Sequence, residues 1–251
     1  CNHSCPFCIS GHLHLSKYKD SELFNRTMLK EATFESMIKN LVKTKIKAIN
    51  WTGGGEPTLN PYLGKAIQYI KSNSQIQMGM FTNGSLLEKF NLFDTVVNSL
   101  EWIRISIDAG NEDSYNNLRI TNSNNNFKVV LENIKKLIEV KKKKNSKIVI
   151  GIGFVVTKDN YEEILDFSKI FKKMDVDYCQ FKPEIIQIER EEIRNDLGRV
   201  QIESDFWINK VISSLDAAKK ILGKKFECNS YKLEDLIVDG KEYGRNYKQC
   251  I

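Results

Sequence analysis

The chain has 251 residues, 41% of them hydrophobic and 28% charged, with a net charge of +6 from 38 basic and 32 acidic side chains. That length buries a full core in one large domain or two small ones, and the balance is that of a globular protein, not a disordered or fibrous one. No run reaches the ~18 apolar residues of a membrane helix, no secretory leader is visible, and the basic surplus around Lys135, Lys136 and Lys141 to Lys144 reads as a solvated helix end rather than a nucleic-acid surface.

The first stretch is Cys1-Asn2-His3-Ser4-Cys5-Pro6-Phe7-Cys8. Six cysteines, three of them this close together, in a chain long enough to need no staples, point to metal chemistry in a reducing cytosol rather than to disulfides. Three thiolates fall short of a closed zinc site, which takes four ligands, and of the usual four-thiolate cluster. On spacing alone three readings stay open: a four-iron cube with one iron free for a non-protein ligand, a zinc ion completed by His3, His12 or His14, and chance proximity.

A polar loop from Ser10 to about Lys30 follows. Thr33 is placed to cap a helix through Phe34, Met37, Ile38, Leu41 and Val42. Ile46 to Thr52 reads as a strand running into Gly53-Gly54-Gly55-Glu56-Pro57, where glycines let the backbone approach a ligand closely. Asn60-Pro61 starts a helix with Leu63, Ala66, Ile67 and Ile70 on one face. Ile76 to Thr82 is a strand ending in the turn residues Asn83-Gly84, and Leu86 to Val97 is helical.

In the strand from Trp102 to Asp108, three isoleucines alternate with Arg104, Ser106 and Asp108. Polar side chains turned inside a barrel need a ligand or each other, so an internal Arg104–Asp108 ion pair stands beside a ligand role; Arg119 reads as a surface residue. A polar loop from Thr121 to Asn126 leads to a helix from Phe127 to about Val140. Lys147 to Val156 is a strand, and Asn160 is placed to cap a helix carrying Ile164, Phe167, Ile170 and Phe171. In the strand from Tyr178 to Lys182, closed by Pro183, Gln180, Lys182 and Glu184 alternate with Cys179, Phe181 and Pro183; Cys179 reads as core. A helix near Ser204 to Leu222 and a hairpin at Val238-Asp239-Gly240-Lys241 complete the series.

Repeated βα units make a parallel sheet with helices outside, an α/β fold. Alternation does not separate a barrel from a doubly wound sheet, but either carries its ligands at the carboxyl ends of the strands.

Cys1, Cys5 and Cys8, followed one helix and one strand later by the Gly-Gly-Glu run, resemble the cluster loop and glycine motif of the radical S-adenosylmethionine (radical SAM) superfamily. The resemblance covers about Cys1 to Pro183. It implies a partial (β/α)6 TIM-like barrel whose first strand, leading into the cysteine loop, is missing from this sequence. It implies a [4Fe-4S] cluster on Cys1, Cys5 and Cys8, with SAM chelating the open iron. Gly54, Gly55 and Glu56 would hold the SAM amino group, Thr82 and Asn83 would border its pocket, and Ser106 and Asp108 would meet ribose or carboxylate. Gly153 and Val155 would form an apolar shelf for adenine through backbone contacts, although Asn160 stands near the place where the family carries an acid. Arg104, Lys182 and Glu184 would touch substrate.

The resemblance further implies a core at 1–203 and, at 204–251, a helix and the start of a SPASM or twitch-type segment. Cys228 and Cys250 would then be candidates for an auxiliary iron–sulfur cluster, but Arg245 stands where the Gly-x4-Cys pattern after Gly240 needs cysteine. The implied activity is reductive cleavage of SAM to a 5′-deoxyadenosyl radical that abstracts hydrogen from a substrate carbon. A peptide or a carbohydrate is favoured, with a sugar or nucleotide suiting the polar strand faces. The electron donor would resemble flavodoxin or ferredoxin, in the cytoplasm, with neither membrane nor nucleic acid as partner. Two alternatives remain: a zinc-binding basic module with no enzymatic activity, and radical SAM-type methyl or carbon transfer, although no cobalamin module is visible.

Overall fold

Apolar spacing sorts the chain into alternating helices and strands, and the computed structural model describes residues 1–8, 29–121, 126–183 and 210–228. In chain order these residues form α1 (Glu31–Leu41), β1 (Ala48–Trp51), α2 (Leu63–Asn73), β2 (Gln77–Thr82), α3 (Phe93–Ser99), β3 (Trp102–Ser106) and α4 (Glu112–Leu118). Then come α5 (Asn126–Lys143), β4 (Val149–Val156), α6 (Ile164–Met174), β5 (Tyr178–Pro183), α7 (Ile212–Leu222) and β6 (Phe226–Cys228). Among the described residues no helix is long and apolar enough to cross a membrane.

The six strands lie side by side in sequence order, and every neighbouring pair is parallel. A doubly wound sheet reverses its strand order at a switch point; this one never does. Among the described residues the sheet does not close on itself, and the architecture is the partial barrel. Five strands stand where the hydrophobic pattern puts them. The sixth, β6, is three residues long and too short for any periodicity to announce. With α7, which packs on α6, it extends the same sheet and helix layer beyond residue 203.

Three local expectations change. Lys30, not Thr33, occupies the N-cap of α1, without a side-chain cap bond. The helix expected from Leu86 shortens to α3, because Asn91 adopts a left-handed backbone (φ +49°) ahead of it. An additional helix, α4, starts at Asn111, whose Oδ1 accepts the Ser114 N–H at 3.0 Å. The basic run at the end of α5 is tied down rather than loose: Lys141 pairs with Asp177, Lys142 with Asp175 and Lys144 with Asp94. Such exposed pairs add little stability each.

Ile103 and Ile105 of β3, Ile150, Ile152 and Phe154 of β4, and Cys179 and Phe181 of β5 are fully buried beneath the helices. Burial pushes the Cys179 thiol up to about 12, consistent with an inert core residue. Phe154, Phe167 and Phe181 pack with ring centroids 4.8–5.7 Å apart. On the concave face Phe81, Trp102, Arg104, Ser106, Val155, Gln180 and Lys182 are only half-buried. Period two, with one covered and one open side, explains the alternation.

Two glycines make room on that open face. A Cβ on Gly79 would lie 2.1 Å from the Trp102 ring, and one on Gly151 2.1 Å from the Tyr178 ring. Each ring comes from the next strand and lies across the glycine, in register with it. Gly151→Ala is therefore expected to destabilise by about 1–3 kcal/mol through overpacking, and by much less in a Tyr178→Ala background. Denaturant unfolding of the four proteins measures the coupling; strictly additive losses would show that the ring is not the obstacle.

Candidate functional site

At the carboxyl ends of β1 and β2 the Glu56 carboxylate is the centre of a knot. Its Oε1 accepts from Thr58 N (3.1 Å), Thr58 Oγ1 (2.6 Å) and Thr82 Oγ1 (2.6 Å), and its Oε2 accepts from Asn83 N (2.7 Å). Three candidates, Glu56, Thr82 and Asn83, are thus brought together and buried. With three bonds on one oxygen and one on the other, Oε2 retains acceptor capacity for an N–H donor of a ligand.

The cysteine loop is docked on this knot. Asn83 Nδ2 donates to Asn2 Oδ1 (2.8 Å), Asn2 Nδ2 donates to Ser85 Oγ (2.9 Å), and Ser85 N and Oγ both donate to Asn83 Oδ1 (3.0 and 2.7 Å). A Cβ on Gly55 would stand 3.0 Å from Cys1 N and 3.6 Å from Cys1 Cα, so the glycine run meets the loop backbone directly. On the other flank Ser4 N donates to Ile120 O (2.9 Å), and the Arg119 guanidinium stands over the Phe7 ring at 5.7 Å. Cys8 N closes a turn onto Cys5 O (3.1 Å).

Cys1, Cys5 and Cys8 are not disulfide-bonded; Cys1 is exposed and the other two are half-buried. Burial raises the Cys5 thiol; Arg119 opposes this, while Asp108 and Cys8 add to it. A metal overrides that preference, because a coordinating thiol is deprotonated outright. Among the described residues no group of three or more His, Cys, Asp or Glu side chains is gathered closely enough to hold a single ion. His3, a fourth ligand on which a zinc site would draw, is instead buried edge-on against Tyr115, with ring centroids 6.3 Å apart. Three soft donors with a glycine cradle behind Cys1 fit an iron–sulfur cluster. His12 and His14 lie outside the described residues.

The expected Arg104–Asp108 ion pair does not form. Asp108, fully buried at φ +60°, pairs through Oδ2 with Arg119, which is 8% exposed and no surface residue. Burial works against the Arg119 charge, but Asp108, Cys5 and Tyr115 outweigh it and raise its pKa. Asp108 Oδ1 accepts the Val155 N–H (2.7 Å). Asn160 stands at the N-cap of the short 3-10 turn that leads into α6, as expected, but without a side-chain cap bond. It is a buried brace: its Nδ2 donates to Asp108 O (2.9 Å) and Val155 O (2.8 Å), and its Oδ1 accepts from Thr157 N (2.7 Å). The backbone N–H of Val155 is therefore taken, and Val155 offers a ligand its half-buried side chain. Gly153 lies beside Ser106 in register, and Ile107 N donates to its carbonyl (3.1 Å).

Lower on the concave face Arg104 stacks on the Phe81 ring at 4.3 Å and donates to Gln180 Oε1. Burial lowers its pKa, against the influence of the Tyr178 hydroxyl, to which it is also hydrogen-bonded. Trp102 stands edge-on to Phe81 at 4.7 Å. Lys182, one layer nearer the carboxyl edge, is in register with Val155. Among the described residues no carboxylate makes an ion pair with Arg104. Glu184, Cys250, the hairpin at Val238-Asp239-Gly240-Lys241 and the side chain of Cys228 lie outside the described residues. Sequence reasoning missed Asn2, Ser85 and Tyr115; the adjacency of Asn2 to Cys1 was the one available signal.

The chain matches the sequence model of the radical SAM superfamily over residues 1–168. It is 25% identical over 242 residues to a probable GTP 3′,8-cyclase of Saccharolobus solfataricus, covering 95% of this chain and 70% of that protein. Over 182 residues it is 29% identical to a protein named GTPase Obg of Brachyspira hyodysenteriae, covering 72% of this chain but only 26% of that one. Streptococcus suis SuiB bound to S-adenosylmethionine superposes with a TM-score of 0.61 at 16% identity, over 97% of this chain and 51% of SuiB. The chain thus spans about a quarter of one curated relative and about half of the solved one, and the latter likeness speaks for the fold.

Proposed function

The chain belongs to the radical SAM superfamily, and from that premise we propose that it is an enzyme using SAM to abstract hydrogen from a substrate carried on the concave face of its sheet. The observation that carries this reading is the docking of the cysteine loop onto the Glu56 knot through Asn2 and Gly55. Cys1, Cys5 and Cys8 would hold the family's [4Fe-4S] cluster. When bound, the reduced cluster supplies the electron that cleaves SAM to methionine and a 5′-deoxyadenosyl radical, the species that takes a substrate hydrogen.

The chain's own part is positioning. Glu56 Oε2 would accept the SAM ammonium, while Thr82 and Asn83 fix the carboxylate that receives it. The Asp108–Arg119 pair locks the end of β3 against β4 and keeps Arg119 under the cysteine loop. Ser106 and Gly153 leave the sheet open beside them. An electron donor of flavodoxin or ferredoxin type and a cytoplasmic setting belong to the same proposal.

For the substrate, Arg104 and Lys182 favour a molecule bearing an oxyanion. SuiB, solved with its precursor peptide SuiA, and the GTP 3′,8-cyclases represent a peptide and a nucleotide, and both classes carry such groups. The Arg104 guanidinium, placed over the Phe81 ring and bonded to Gln180, is suited to grip a carboxylate or phosphate in forked fashion. Arg104→Gln is expected to lower substrate-dependent kcat/KM by about 10–100-fold, the worth of a charge-assisted bond. Arg104→Lys should recover little, because lysine reproduces neither the fork nor the stacking; full recovery would make Arg104 a mere point charge.

The test of the proposal is anaerobic iron–sulfur reconstitution, reduction with dithionite in the presence of SAM, and product analysis. Release of 5′-deoxyadenosine supports it. S-adenosylhomocysteine in its place would indicate group transfer, and stoichiometric zinc without SAM cleavage would leave a binding module.

A further inference from the structure

Three side chains around the cysteine loop carry buried polar atoms that bond to nothing: both ring nitrogens of His3, the Tyr115 hydroxyl and Arg119 Nε. They make up four of the five such atoms among the described residues. Tyr115 is fully buried and His3 is 3% exposed. Tyr115 reaches this place because α4 projects it there, packed against Phe127 with ring centroids 5.3 Å apart, while His3 meets it edge-on from between Cys1 and Cys5. Buried donors are almost always satisfied in native proteins, so several orphans converging on one spot call for a common partner. The apolar rings of Phe127 and Phe7 do not supply it. Tyr115 and Arg119 both sense Asp108 and the Cys5 sulfur electrostatically; Asp108 is already engaged by Arg119 and the Val155 N–H, which leaves the sulfur. Thiolate and sulfide sulfurs accept hydrogen bonds and donate none. A phenol O–H and an imidazole, which carries at least one N–H in any protonation state, are their complements.

We infer that Tyr115 and His3 donate hydrogen bonds to the sulfurs of the cluster held by Cys1, Cys5 and Cys8 and so set its reduction potential. This rests on the cluster assignment made above. Reduction adds negative charge to the cluster, donors stabilise that charge, and their removal makes the cluster harder to reduce. Tyr115→Phe deletes only the hydroxyl, and His3→Phe deletes both nitrogens while keeping a ring.

The experiment is a dithionite titration, followed by EPR, of the anaerobically reconstituted full chain and of both variants without SAM, alongside melting of the metal-free forms. Each variant is expected to retain wild-type iron and to reduce at a more negative potential. For Tyr115→Phe the shift should be about tenfold in the reduction equilibrium, or about 59 mV for one electron. The metal-free Tyr115→Phe protein should melt no lower than wild type, since an unpaired hydroxyl is gone. Wild-type potentials in both variants, or a shift that appears only when SAM is added, would overturn the inference. A wild-type protein that takes up no four-iron cluster would instead refute the cluster assignment, and this inference with it.

Discussion

The Cys1→Ala/Cys5→Ala/Cys8→Ala protein is expected to lose about four irons per chain and all reductive cleavage of SAM, while melting with the metal-free wild type. The loss of iron follows from the ligand chemistry, since alanine offers no donor. The unchanged fold follows from what holds the loop. The Asn2 side chain on Asn83 and Ser85 and the Ser4 backbone on Ile120 are anchors that need no sulfur. Cys1 is exposed, and the Cys5 thiol is disfavoured in its charged form by burial, so three small apolar side chains leave the packing intact. Iron, sulfide, 5′-deoxyadenosine and a melting curve read the four quantities separately. Iron that survives in the variant would locate a second cluster elsewhere, with Cys228 and Cys250 as the first residues to replace. A large drop in melting temperature would show instead that the thiols support the fold.

Asp108→Ala is expected to destabilise the protein by about 3–5 kcal/mol, because it strands the Arg119 charge in the interior and leaves the Val155 N–H without its acceptor. One carboxylate joins β3, β4 and the end of α4, through Arg119 and Val155, so its loss propagates to three elements. It also frees Arg119 from beneath Cys5 and Phe7, and iron retention should fall with it. Replacing both partners, Asp108→Ala with Arg119→Met, is expected to regain a large part of the loss, since no buried charge is then left unpaired. Denaturant unfolding of the double-mutant cycle measures this. A single-variant effect below about 1 kcal/mol, in the range of an exposed pair, would mean that Arg119 relaxes to solvent.

Alternation in β3 told correctly that Arg104 and Ser106 face one way and the isoleucines the other. It did not tell which charges meet. Asp108 lies beyond the regular strand with a left-handed backbone, so it leaves the alternating series and turns to Arg119, eleven residues along the chain. Arg104 crosses the glycine-bare surface of β4 to reach Gln180 on β5. Both outcomes depend on backbone direction and on missing side chains, and periodicity carries neither. The glycine run was legible because it sits at a strand end, where ligands gather. The hydrogen bonds that Glu56 accepts from Thr82 and Asn83 were not, since they join residues 26 and 27 positions apart. Asn160 takes the cap position that suits Asn, but its amide answers three backbone groups of neighbouring strand ends instead.

The strict sequence order of the strands lets each βα unit settle on the one before it as synthesis proceeds. The anchors of the cysteine loop do not share that order. Asn2 waits for Asn83 and Ser85, and Ser4 waits for Ile120. At about 5–20 residues per second, the ribosome takes roughly 6–24 s to reach that last anchor after Cys1 has been made. Until Asn83 and Ser85 are made the three thiols have none of these anchors, and until Ile120 is made they have only part of them. The window for misplaced metals or oxidants is therefore widest before the first half of the barrel exists, and it narrows when α4 is complete.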